Sequence, residues 1–144
     1  MSNLIRRCTA ALALGLAIVV GSATAASAAE VFTTTLSGAE EVPTAGDPDG
    51  SGFAVVAAIP EAGLVCYAVV VFGIGPATAA HIHEAPRGVA GPVVVGLDAP
   101  SRGVSSGCVA DAEEAADIAA DPDDYYVNVH NAEFPGGALR GQLG

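Results

Sequence analysis

The chain has 144 residues, 51% of them hydrophobic, and sets 16 acidic side chains against 5 basic ones for a formal charge of −11. That length suits one domain with one core, and that charge excludes electrostatic capture of nucleic acid or of an anionic membrane while favouring cations or basic partners. Plain solubility in a salty or extracellular medium accounts for the same charge.

At the N-terminus, Arg6 and Arg7 precede an apolar run from Ala10 to Val20, and the small-residue stretch that follows contains Ala26-Ser27-Ala28, an Ala-x-Ala cleavage signal. This is the layout of a secretory signal peptide. The apolar run is shorter than the about 20 residues a spanning helix needs, and Cys8 lies ahead of it, so it is not a lipid-bearing cysteine closing an export signal. Cleavage is expected between Ala28 and Ala29, dividing the chain into a signal peptide at 1–28 and a β domain at 29–144. The product would be secreted, extracellular or on the outside of the cell envelope, with no stable membrane insertion. Arg87, Arg102 and Arg140 would be its basic residues, and every acidic residue would remain.

Two cysteines survive that cleavage, Cys66 and Cys108. In an oxidising compartment such a pair is most simply one disulfide, and the two are not spaced as a redox-active Cys-x-x-Cys. Closing a loop of about 40 residues stabilises a fold by about 4 kcal/mol before strain.

Val31 to Leu36 reads as a half-buried strand, with Phe32, Thr34 and Leu36 on one face and Thr33 and Thr35 on the other. Residues 45–52 are dense in proline, glycine and aspartate and are expected to form an exposed acidic loop. Phe53 to Ile59 and Leu64 to Phe72 read as a hairpin turning at Pro60-Glu61-Ala62-Gly63. Val69-Val70-Val71-Phe72 shows no clean alternation, which suggests cover on both faces.

Ala80-His81-Ile82-His83-Glu84 follows the stop at Gly73-Ile74-Gly75-Pro76. Side chains two apart on a strand share a face, with about 7 Å between their Cα atoms, so His81 and His83 stand together. A Gly/Pro-rich loop at 85–92 leads to the strand Val93 to Leu97, and Asp98 to Gly107 reads as irregular. Asp111 can cap a short helix, with Glu114 completing an approximate capping box and Ile118 as its one large apolar side chain. This helix is expected over a sheet edge, ending at Asp121-Pro122.

Tyr125, Val127 and Val129 form the core face of the next strand, and Tyr126, Asn128 and His130 share its other face. A last strand over Ala138 to Leu143 points Leu139, Gly141 and Leu143 one way and Arg140 and Gln142 the other. Six to eight short strands and one helix favour an all-β fold, an antiparallel immunoglobulin-like or Greek-key sandwich or barrel.

Four motifs occur here in a recognisable order: Leu36-Ser37-Gly38-Ala39-Glu40-Glu41-Val42-Pro43; Ala80-His81-Ile82-His83 with Gly88 and Gly91-Pro92-Val93-Val94; Tyr125-Tyr126-Val127-Asn128-Val129-His130; and Pro135-Gly136-Gly137-Ala138-Leu139-Arg140-Gly141-Gln142-Leu143. Together they resemble the CHRD domain, named from chordin, over nearly all of residues 31–143. The resemblance implies a β-sandwich of immunoglobulin-like or related type and an extracellular setting, as in the single-domain secreted bacterial members. The cysteine-rich modules that bind growth factors in chordin are missing, so that activity does not carry over.

His81-Ile82-His83-Glu84 also resembles, locally, the His-x-His-Glu strand of copper/zinc superoxide dismutases. That likeness implies copper ligation by His81 and His83, with His130 in the position of a late copper ligand. The chain holds three histidines in all, so the metal-bridging histidine and the zinc cluster of those enzymes have no counterpart.

Two readings of the histidines stand side by side. Three imidazoles suit copper or zinc, with Glu84 or Glu133 as an oxygen ligand or as a partner orienting an imidazole. Alternatively His83, Asn128 and Arg140 form a hydrogen-bond network fastening adjacent strands, with His81 exposed; a site for another ligand is the third option. Asp47-Pro48-Asp49 and the cluster Asp121, Asp123 and Asp124 lack an EF-hand pattern. No Gly-x-Ser-x-Gly elbow and no P-loop occurs. Overall the chain reads as a CHRD-like domain with an extracellular binding or structural role, its partner an unspecified extracellular protein or ligand and its assembly state open, or as a copper- or zinc-binding protein with redox potential.

Overall fold

Alternation of inward and outward side chains builds most strands of the computed structural model, which describes residues 28–144. The expected signal peptide lies outside the described residues except for its last position. The strands are β1 (Glu30–Ser37), β2 (Ser51–Ile59), β3 (Leu64–Phe72), β4 (Ala77–Glu84), β5 (Val93–Leu97), β6 (Val104–Ala110), β7 (Tyr125–Asn131) and β8 (Leu139–Gln142), with one helix, α1 (Ala112–Ala120). All strand pairs are antiparallel, in a single sheet of order β5-β4-β7-β8-β1-β2-β3-β6.

The sheet curls nearly into a barrel around one core. At the seam between edge strands β5 and β6, the backbone N–H of Asp98, just past β5, donates to the Tyr67 hydroxyl on β3 at 2.8 Å. Leu36, Val56, Val69, Ile82, Val127 and Leu139 line the interior, each at most 1% exposed. Burying one side chain of this size contributes about 1.5–3 kcal/mol.

The helix closes one end of this barrel. Asp111 Oδ1 accepts from the Glu114 N–H at 3.1 Å, while the Asp111 N–H bonds the Gly63 carbonyl instead, so half of the capping box forms. Ala115 and Ile118 join the core fully buried. The helix therefore plugs the barrel mouth and does not lie over a sheet edge. Gly63, which ends the β2–β3 turn, sits at φ +62°, in the left-handed region that favours glycine.

Three local expectations are corrected. Val69 to Phe72 alternates after all, with Val69 and Val71 buried and Phe72 exposed, so this end of β3 has one bare face. The stretch 98–107 is irregular only in part: Val104-Ser105-Ser106-Gly107 opens β6, and the interior position of Gly107 receives the Tyr67 ring. Residues 45–52 are not wholly exposed, because the Gly46 N–H reaches the Gly38 carbonyl at 2.8 Å and the Asp47 N–H reaches the Ala138 carbonyl at 2.9 Å, burying Gly46 and Asp47.

Cys66 and Cys108 are directly opposite on β3 and β6 and are joined by a disulfide. The bridge holds the edge strand that has the least β-forming sequence. Among the described residues no helix is long and apolar enough to cross a membrane.

Replacing both cysteines by alanine is expected to lower the unfolding free energy by about 4 kcal/mol, the entropy of closing a loop of this length. Urea denaturation followed by circular dichroism measures it. An unchanged midpoint would mean that the β3–β6 ladder alone fixes the edge.

Candidate metal centre

On β4, Ala80 and Ile82 point into the core, so His81 and His83 point out. On β7, Tyr125, Val127 and Val129 take the interior, leaving Tyr126, Asn128 and His130 outside. The two strands pair in a register that sets His81 opposite Asn128 and His83 opposite Tyr126, with His130 one step further along, opposite Ala79. His81 is thus flanked by His83 on its own strand and by His130 diagonally across the ladder. The ring centroids lie 5.6 Å and 5.1 Å from that of His81, both edge-on.

Backbone carbonyls fix two of the tautomers. His83 Nδ1 lies 2.9 Å from the Gly91 carbonyl oxygen and His130 Nδ1 lies 3.0 Å from that of Pro135. A carbonyl oxygen only accepts, so both Nδ1 atoms carry hydrogen and both Nε2 atoms carry lone pairs. Such an N–H to carbonyl contact is how metal-binding imidazoles are usually oriented. His81 Nδ1 then donates to His130 Nε2 at 3.2 Å. His83 Nε2 is buried, and among the described residues it has no hydrogen-bond partner.

One nitrogen from each ring lies within 4.8 Å of the other two, and all three residues are half-buried. Ligands at 2.0–2.1 Å from one ion sit about 3.4 Å apart in a tetrahedral shell and about 4 Å apart when directly opposed, so the widest pair must close by about 0.7 to 1.4 Å. The residues therefore fit a transition-metal ion. Desolvation, followed by repulsion from the neighbouring imidazoles, lowers the pKa of His81. His83 is lowered too, by desolvation first and by the nearby His130 and Arg140, against the opposing pull of the Gly91 carbonyl. Both shifts favour the neutral imidazole that a metal requires.

The carboxylates expected beside the histidines are elsewhere. Glu84 follows His83 by one position, so it turns to the other side of the strand, where its charge acts on Glu114 and Tyr125. Glu133 is exposed in the turn after β7, in the wall of an open cavity of about 400 Å³ shared with Val42 to Ala45. Neither belongs to the cluster.

A polar network occupies the same wall. The Arg140 guanidinium on β8, 1% exposed, donates to the carbonyls of Val89 (2.8 Å) and Pro86 (3.1 Å) and to Gln142 Oε1 (3.1 Å). Gln142 Nε2 donates to the carbonyls of Ala85 (2.9 Å) and Asp123 (2.6 Å). Together they hold the 85–92 loop over the outer face. That loop presents the Gly91 carbonyl to His83, and its Gly91 N–H donates to the Tyr126 hydroxyl at 3.2 Å. Tyr126 links the two systems: His83 stacks on its ring at 4.8 Å and 9°, and Arg140 lies over it at 3.5 Å. Arg140 approaches Tyr126 from β8 and His83 approaches from β4.

Asn128 donates to Glu41, a residue of the loop after β1 that is 6% exposed. Burial raises the Glu41 pKa to about 7, against the lowering effects of Arg140 and of the bond from Asn128. Gly137 makes room for this carboxylate: it sits at φ +144°, and a Cβ there would lie 2.4 Å from Glu41 Oε2. The expected network of His83, Asn128 and Arg140 does not form as such: His83 bonds the Gly91 carbonyl, Arg140 bonds Val89, Pro86 and Gln142, and Asn128 bonds Glu41 and the Leu139 carbonyl, while His81 is half-buried beside them, not exposed. Tyr126 and Gln142 were legible as outward positions of their strands, but Glu41 lies in a loop without periodicity.

A family model described as CHRD domain matches residues 32–143, nearly all of the described chain. No curated protein and no solved structure matches.

Glu41 predicts a pH dependence of stability. A carboxyl whose folded pKa exceeds its unfolded value adds stability below the unfolded value, near 4.5, and loses it as pH rises through about 7. The lowered His81 and His83 act with opposite sign on the acid side of 6.5, so the comparison with Glu41→Gln isolates the carboxyl. Relative to wild type, the variant is expected to gain up to about 3 kcal/mol between pH 4.5 and 8. Urea melts at both pH values measure the gain, and a difference that stays flat would contradict a buried, titrating Glu41.

Proposed function

The chain belongs to the CHRD domain family, and from that premise we propose that it is an exported binding domain whose ligand is a single Cu²⁺ or Zn²⁺ ion held by His81, His83 and His130. The observation that carries this reading is the buried Nε2 of His83, unpartnered among the described residues and with its lone pair exposed by the bond from Nδ1 to Gly91. A buried polar nitrogen without a partner costs about 1–3 kcal/mol, which a bound ion would offset.

The donor set supports these two metals. Three imidazoles suit Cu²⁺ and Zn²⁺, whereas thiolates would favour Cu⁺ and oxygen donors would favour Mg²⁺ or Ca²⁺. Cu²⁺ is expected to bind more tightly, following the general order for nitrogen sites. Three protein ligands leave a position open to solvent in a four-coordinate shell. The chain's own residues do the positioning: the Gly91 and Pro135 carbonyls orient two rings, and the Arg140 and Gln142 bonds keep the Gly91 carbonyl in place. The reading is of binding and assigns no reaction.

An extracellular location is supported by the N-terminal export pattern and agrees with the Cys66–Cys108 bridge, since disulfides persist in oxidising compartments. Intact-mass analysis of the culture medium is expected to find the chain beginning within a few residues of Ala29 and two hydrogens lighter than its reduced form. Recovery only from the cytosol, uncleaved, would overturn the location.

Metal binding is tested by dialysis against micromolar Cu²⁺ or Zn²⁺ followed by elemental analysis. About one ion per chain is expected, with the Cu²⁺ form showing nitrogen hyperfine structure in electron paramagnetic resonance. His83→Gln and His81→Gln should each weaken retention by at least about tenfold while circular dichroism stays unchanged. No retention by the folded wild-type protein would remove the reading.

A further inference from the structure

Among the described residues, the barrel wall opposite the histidines is bare. The outward side chains of β1, β2, β3 and β6 form cross-strand rows such as Thr33–Val55–Ala68–Ser106, and none of the outward positions on these four strands is charged. Val31, Phe53, Phe72 and Val104 stand on this wall 43% to 64% exposed. Among the described residues no loop covers it in the way residues 85–92 cover the other half.

We infer that this uncharged wall is a self-association surface that packs face to face against the same wall of a second copy. The charge distribution selects that partner. The chain carries a formal charge of −11, so two copies repel one another over most orientations, and this wall is where they meet without placing like charges in contact. A basic partner would be drawn to the acidic parts of the surface, and an anionic lipid surface would be repelled by them.

The size of the wall sets the strength. Four strands about 4.8 Å apart, with outward rows about 6.8 Å apart along them, give a plan area of roughly 500 Å². A stable interface covers about 800 Å² of accessible surface on each partner, and side-chain relief raises accessible area above plan area. The pairing therefore belongs to the weak, reversible class. Two aligned sheets pack about 10 Å apart, which Phe53 and Phe72 from both copies are long enough to fill. The contact leaves the histidine wall free, so it is independent of metal binding.

Sedimentation equilibrium on the full exported domain in EDTA tests the inference and removes metal bridging. The weight-average mass is expected to climb from one chain toward two between about 5 μM and about 1 mM protein. Raising NaCl from about 20 mM to about 500 mM should tighten the dimer several-fold, because salt screens the repulsion between like-charged copies. Val104→Glu and Phe72→Glu alter exposed side chains and should each weaken association at least tenfold. Val89→Glu, an exposed change off this wall, should leave it intact. A wild-type mass that stays at one chain at about 1 mM and high salt overturns the inference, as does a dimer indifferent to Val104→Glu and Phe72→Glu. A chain that stays monomeric yet floats with phosphatidylcholine vesicles also overturns it and assigns the wall to a lipid surface.

Discussion

A buried guanidinium must have acceptors, and Arg140 finds two of its three on the loop that covers the outer face of β7 and β8. Because the Arg140 charge cannot be shed, the carbonyls of Pro86 and Val89 must stay where they are for the fold to be tolerable. Breaking such a buried arrangement costs about 3–5 kcal/mol. The constraint fixes residues 85–92 on the sheet, and the fixed loop in turn delivers the Gly91 carbonyl to His83 and its N–H to Tyr126. The histidine cluster and the polar network are therefore parts of one mechanical unit, not competing uses of the same residues.

The barrel divides into two halves with different surface chemistry. Strands β4, β7 and β8 carry histidine, tyrosine, asparagine, arginine and glutamine outward, and loops and neighbouring strands supply partners to most of these polar groups, His83 Nε2 and Asn128 Oδ1 excepted among the described residues. Strands β1, β2, β3 and β6 carry small, apolar or hydroxyl side chains outward, which need no such cover. The edge strand of this half is secured covalently by Cys66–Cys108. The same covering loop also carries Arg87, whose exposed ion pair with Glu40 adds little stability by comparison with the buried Arg140 contacts.

What could be read from the chain was what period two governs. The outward placement of His81, His83 and His130, the inward placement of Tyr125, Val127 and Val129, and the sides of Arg140 and Gln142 all follow from alternation. The pairing of Cys66 with Cys108 followed from their being the two cysteines left beyond the export pattern. Strand β6 was hidden because Val104-Ser105-Ser106-Gly107 has little intrinsic β preference and is ordered by its partner strand and by the ring of Tyr67. Glu84 adjoins His83 in the chain, but alternation turns it to the other side of the strand. Glu41 was out of reach, since a loop residue 87 positions before Asn128 in the chain meets it only through the closed sheet.

The central claim is that three outward imidazoles, oriented by loop carbonyls, converge on one ion. A crystal of the domain soaked in Cu²⁺ and measured at the copper absorption edge tests it most directly. The account predicts one strong anomalous peak about 2.0–2.2 Å from a nitrogen of each of His81, His83 and His130, with the Gly91 and Pro135 carbonyls still bonded to Nδ1 of His83 and His130. A peak among the aspartates at 121, 123 and 124, or rings turned away from one another around an empty centre, would contradict it.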